Sequence, residues 1–133
     1  MFLFDTDILS QVVKPSPSPV LIARLAQVSP EEQFTSAITV GEMVYGACRS
    51  GRRDHFLHQL EERVWSNVRI LSFDRAAAET YGKLRAKLER AGTPLGEPDL
   101  RIASIALTHK LTMVTGNVRH FTRVPGLKVE SWM

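Results

Sequence analysis

Asp5, Glu42, Asp99 and Asn117 each stand just past a short apolar run or at the mouth of a helical pattern, spread over most of a 133-residue chain. All four side chains offer oxygen donors. Brought together they would make a negative pocket suited to a hard divalent cation, and with no Cys or His cluster the preference is Mg2+ or Mn2+ over zinc. One such ion, or a pair about 4 Å apart, lowers the pKa of a bound water and offsets charge on a phosphodiester during in-line attack. The chemistry would be hydrolysis of a phosphate ester without a nucleophilic side chain.

Each position also has a local explanation. In FLFDTDIL, Asp5 could cap the helix that follows, and Asp7 more readily still. Thr39, Val40, Gly41 and Glu42 have the spacing of a capping box, in which Glu42 would reach back to the backbone of Thr39. Asp99 follows Pro98 at a helix start, where the macrodipole favours a carboxylate. Asn117, in VTGNVRHF, could be a turn residue. What favours the pocket is joint placement: in a parallel α/β sheet, residues that follow successive strands converge at one edge.

The elements that would position them read as follows. Strands are expected at residues 2–4, 33–38, 68–71, 111–115 and 127–132. Helices are expected over 20–28, from Thr39 to the basic turn RSGRR at 49–53, over 54–66, over 75–91 and from Asp99 to about His109. The clearest period is Ala77, Tyr81, Leu84, Leu88 and Ala91, an amphipathic stripe. PSPSP at 15–19 excludes helix interior, and Gly51 suits a left-handed helix end. Strands alternating with helices predict an α/β fold: a central parallel β-sheet flanked by α-helices, an α/β/α sandwich in a single domain over 1–133.

Composition agrees. With 44% hydrophobic and 23% charged residues the chain is an ordinary globular one, and no apolar run approaches a bilayer span of about 20 residues. No signal-peptide pattern opens the chain, and the single cysteine, Cys48, cannot form an internal disulfide, so a cytoplasmic protein with Cys48 as a small core residue is expected. Trp65, Trp132 and Phe121 are expected in the core. Lys and Arg number 17 against 14 Asp and Glu, for a net charge of +3, and the cations are mostly Arg, whose forked guanidinium matches phosphate. Arg101, Arg119 and His120 lie nearest the proposed pocket and are the candidate phosphate contacts.

The succession FLFDTDIL, SAITVGEMVYGA, AAAETYGKLRAKLERAG, TPLGEPDLRIASIA and LTMVTGNVRHFTRVPGLKVESW resembles a PIN domain of the VapC toxin kind over nearly the whole chain. The resemblance implies a metal site at Asp5, Glu42, Asp99 and Asn117, holding one or two Mg2+ or Mn2+ ions. Two positions depart from the pattern. Asn117 is an amide where many PIN domains have Asp, and Asp7 is an acid where the family often has Asn or Ser. Asp7 is therefore expected to restore part of the missing charge as an accessory ligand, with Asn117.

The resemblance further implies a metal-dependent endoribonuclease, the toxin of a toxin–antitoxin pair, acting on tRNA or other structured RNA. It implies a VapB-like antitoxin that lays a helix in a groove and blocks the site, and a homodimer or a larger toxin–antitoxin assembly, with no membrane partner. Two rival readings are a catalytically silent PIN-fold module that binds RNA or protein, suggested by Asn117, and a haloacid-dehalogenase-like phosphatase with Asp5 as nucleophile.

Overall fold

The computed structural model describes residues 1–133. Strands β1 (Phe2–Phe4), β2 (Gln33–Ser36), β3 (Arg69–Leu71), β4 (Thr112–Val114) and β5 (Val129–Glu130) form one sheet in the order β3-β2-β1-β4-β5, and every neighbouring pair is parallel. Parallel neighbours cannot be joined by tight turns, so helices must carry the chain back. These are α1 (Thr6–Val12), α2 (Pro19–Ala26), α3 (Ala37–Arg49), α4 (Arg53–Arg63), α5 (Arg75–Arg90), α6 (Glu97–Thr108) and α7 (Val118–Phe121). None is long and apolar enough to cross a membrane.

Because strand side chains alternate between faces, the short apolar strands feed two cores. Leu3 and Met113 enter a cluster with Leu84 and Leu88 of α5, Ile102 and Ile105 of α6, and Phe121. Phe4 and Val114, their immediate neighbours in sequence, join Ile8, Leu21, Leu60 and Trp132 on the opposite face. Helix α6 is the most deeply embedded, with Leu100 through Ala106 buried except Arg101. Its small Ala103 and Ala106 allow close packing. The Thr35 hydroxyl on β2 donates to the Phe4 carbonyl at 2.8 Å, occupying an acceptor at the end of β1.

Several boundaries differ from the sequence reading. The capping box is not formed: β2 stops at Ser36, whose hydroxyl accepts from the Thr39 N–H at 3.0 Å, so α3 starts at Ala37 and Glu42 is free of cap duty. A serine at the junction outcompetes the later Thr because it is the last residue with extended backbone. Helix α6 begins at Glu97 with Gly96 at its cap, which puts Asp99 at the third helical position. The four-residue α7 has no periodicity to betray it. Cys48 is exposed, not core, because α3 turns Met43 and Ala47 inward and the adjacent position faces out. Trp132 and Phe121 are buried as expected, whereas Trp65 is only partly so and packs at the edge of the smaller core. Gly51 does adopt a left-handed φ of 77°.

Ser36→Ala should therefore lower stability by about 1 kcal/mol in urea titrations, the usual cost of removing an N-cap acceptor. An unchanged midpoint would mean that Ser36 does not cap α3.

Candidate active site

From β1 the chain moves to β2 on one side, while β4 pairs with β1 on the other. The sheet order thus reverses at β1 and β4, and a crevice opens beyond their carboxyl ends. Asp5 is the first residue after β1. Its N–H continues the ladder to the Val114 carbonyl at 3.0 Å. Its carboxylate, only 6% exposed, accepts from the Thr6 N–H at 2.8 Å through Oδ1 and from the Thr115 hydroxyl at 2.8 Å through Oδ2. Asp5 is both the cap of α1, as its local reading allowed, and the floor of the crevice.

The other positions are held near the same strand ends by contacts of their own. Asp7, in the first turn of α1, accepts from the Gly116 N–H at 2.9 Å through Oδ2. A Cβ at position 116 would stand 2.7 Å from that same oxygen and 2.7 Å from Met133 Cε, so any larger residue would push Asp7 and Met133 out of their places. Glu42 Oε1 accepts from the Thr6 hydroxyl at 2.7 Å, and Thr6 also meets the Thr39 hydroxyl at 3.2 Å. Asp99 Oδ2 lies 3.0 Å from His120 Nε2. The backbone N–H of Asn117 donates to Thr115 Oγ1 at 3.0 Å, while its side chain is exposed and leaves α7 without a side-chain cap.

Electrostatics ties Asp5, Asp7 and Asp99 together. Burial raises the Asp5 carboxyl to about 6, and the negative charges of Asp7 and Asp99 push the same way against the hydrogen bonds from Thr115 and Thr6. Burial also raises Asp7, with Asp99 adding to it and the Gly116 N–H opposing. No three His, Cys, Asp or Glu side chains stand close enough to make a ready-built metal cluster. What the crevice does present is a set of hard oxygen donors in which the charges of Asp7 and Asp99 make Asp5 costlier to ionise, and that of Asp99 does the same to Asp7. A divalent cation relieves that condition, so the donor set fits Mg2+ or Mn2+.

Of the three candidate phosphate contacts, Arg119 is exposed on α7, and His120 is taken up by Asp99. Arg101 is held against Glu97 and two rings on the α5 side: Nη2 is 3.3 Å from Glu97 Oε2 and the guanidinium lies 5.9 Å from the Phe73 ring centroid and 6.0 Å from that of Tyr81. Thr6, Thr115 and Gly116 were not among the sequence candidates. Their signal was adjacency to the acids and the amide, which hydroxyl and glycine residues share with many turns.

The PIN domain family model matches residues 2–127. The tRNA(fMet)-specific endonuclease VapC of Shigella flexneri is 36% identical over 131 residues, 98% of this chain and 97% of that protein. Among solved structures, VapBC2 of Rickettsia felis bound to a promoter DNA fragment superposes with a TM-score of 0.90 at 28% identity, covering 99% of this chain and 98% of that one. The DNA-bound VapBC of Salmonella typhimurium gives 0.89 at 34% identity, covering 99% and 98%.

Without a cation, ionised Asp5 costs the folded chain stability. Its folded pKa of about 6 lies above the ordinary 3.8, so stability is lost as pH rises from near 3.8 to near 6, by up to about 3 kcal/mol. Asp5→Asn keeps an acceptor for the Thr6 N–H and removes the charge. In chelator at pH 8 it should melt a few degrees above wild type, with the gap narrowing at pH 4.5. Equal melting temperatures at pH 8 would show that the buried charge carries no such cost.

Proposed function

The chain belongs to the PIN-domain family, and we propose that it is a VapC-type endoribonuclease, the toxin of a toxin–antitoxin pair, cutting phosphodiester bonds in structured RNA such as tRNA with Mg2+ or Mn2+. What supports this reading is that Asp99, more than 90 residues later in sequence than Asp5 and Asp7 at the end of β1, lies near enough for its negative charge to help raise both of those carboxyls. A parallel sheet of this order has its natural ligand crevice there.

Asp5 and Asp99 would hold one or two ions directly, with Glu42 as a ligand or as the group that orients the attacking water, and Asp7 and Asn117 as accessory donors. The bound cation supplies charge neutralisation on the phosphodiester and a water of lowered pKa. The protein's own contribution is orientation. Thr6 fixes one oxygen of Glu42, Thr115 and the Thr6 N–H fix both oxygens of Asp5, and none of these groups has to move to serve a substrate. Arg101, braced by Glu97 and two rings, would meet RNA phosphate at the rim, with exposed Arg119 beyond it. A VapB-like antitoxin and assembly as a homodimer or a larger toxin–antitoxin complex follow from the same family reading, since the similar solved structures are VapBC complexes.

Induced wild-type protein should create a specific new RNA end in cells, mapped by end sequencing, that Asp5→Asn and Asp99→Asn do not. Purified, it should cleave in Mn2+ and stop in chelator, and either variant should lose at least about 100-fold, the scale of removing a metal-bound charge stabiliser. RNA binding without cleavage in Mn2+ would instead favour a silent binding module, the reading that the neutral Asn117 supports.

Asp7→Asn isolates the charge question, because an amide oxygen can still accept from Gly116. If Asp7 offsets the missing charge at Asn117, the variant should need more Mn2+ for half-maximal cleavage. An unchanged Mn2+ curve and rate would leave Asp7 as a brace for the Gly116 turn and nothing more.

A further inference from the structure

Asp99 has a competing use for its carboxylate. Helix α6 starts at Gly96, which offers no side chain to the first-turn N–H groups, and Asp99 at the third position is the kind of residue that folds back on such unsatisfied donors. It does not do so here: its Oδ2 lies 3.0 Å from His120 Nε2 on α7. His120 is itself well placed to hold it. Phe121, the next residue, is fully buried in the larger core and meets the His120 ring edge-on at 5.6 Å between centroids. At the other end of α7, the Asn117 N–H is tied to Thr115, the residue whose hydroxyl also holds Asp5. The short helix is thus pinned at both ends, and His120 projects from it onto Asp99.

Resting on the reading of the crevice as a cation site, we propose that His120 is a positioning residue that draws the Asp99 carboxylate off the first turn of α6 and aims it at the Asp5 pocket. With Oδ2 engaged, Oδ1 is left for the cation. The imidazole stands 3.0 Å behind the Asp99 carboxylate, as the Thr115 hydroxyl stands 2.8 Å behind that of Asp5 and the Thr6 hydroxyl 2.7 Å behind that of Glu42. A partner donor behind a ligating carboxylate commonly changes metal affinity by about 10-fold to 100-fold.

The test measures Mn2+ binding to the purified full-length protein by calorimetry, beside cleavage kinetics on an RNA that wild type cuts, for His120→Ala and His120→Gln. The alanine variant should bind Mn2+ about 10-fold more weakly. Its kcat should fall, its KM for RNA should hold, and its melting temperature in chelator should match wild type. The glutamine variant, with an amide N–H able to reach the same oxygen, should recover most of the Mn2+ affinity. A wild-type Mn2+ isotherm in His120→Ala together with a raised KM would overturn the inference and make His120 a direct RNA contact. Glutamine no better than alanine would overturn it as well. If wild type and Asp99→Asn both gave no Mn2+ isotherm, the cation-site reading itself would fail and this assignment with it; if wild type binds Mn2+ and His120→Ala binds it equally, only this assignment is lost.

Discussion

The Thr115 hydroxyl donates to Asp5 Oδ2 at 2.8 Å across 110 residues of sequence, and the rest of the crevice is organised around that contact. Asp5 stands where β1 ends and α1 begins, a place the chain cannot leave without breaking the ladder to Val114. A carboxylate removed from water there needs partners. It finds them in one backbone N–H and one hydroxyl, which satisfy its geometry without neutralising its charge. The remaining electrostatic deficit is one that a bound cation would relieve. The same Thr115 oxygen accepts from the Asn117 N–H, so the turn that leads to α7 is set by the contact that holds Asp5.

The fold was readable in the sequence to the extent that it depends on periodicity. The stripe on α5 and the apolar runs at Phe2–Phe4 and Thr112–Val114 belong to buried elements, and burial leaves a pattern. Where a junction depends on which of several small hydroxyl residues is last to be extended, pattern says nothing. Thr39 was the cap read from the sequence, with Ser36 inside the strand, and only the end of the β2 ladder hands the role to Ser36. Cys48 failed for a similar reason. Its neighbour Ala47 is inside and it is not, a difference of about 100° around a helix that a loose apolar pattern does not resolve.

The four oxygen-bearing positions were readable as candidates because each follows a strand or opens a helix. Their supports were not. Thr6, Thr115, Gly116 and His120 act through distances of about 3 Å between segments remote in sequence, and such pairings leave no local trace. Asp7 illustrates the limit. Its charge could be counted from the sequence as an offset to Asn117, yet its contact with the Gly116 N–H ties it to the very turn that carries Asn117.

The supports are distributed unevenly, and the unevenness follows charge. Asp5 has two donors, Asp7 and Glu42 have one each, and Asp99 has His120, whereas the exposed side chain of Asn117 caps nothing. A charged oxygen in a half-dry crevice is expensive to leave unpartnered, so folding itself selects a fixed geometry for the carboxylates. A neutral amide at the water edge is under no such pressure. Orientation and charge therefore go together on the carboxylates at the end of β1 and on α1, α3 and the first turn of α6, while the Asn117 side chain is left exposed with no side-chain partner. An amide at that corner puts the neutral side chain at the position where the structure has the least to hold a charge in place.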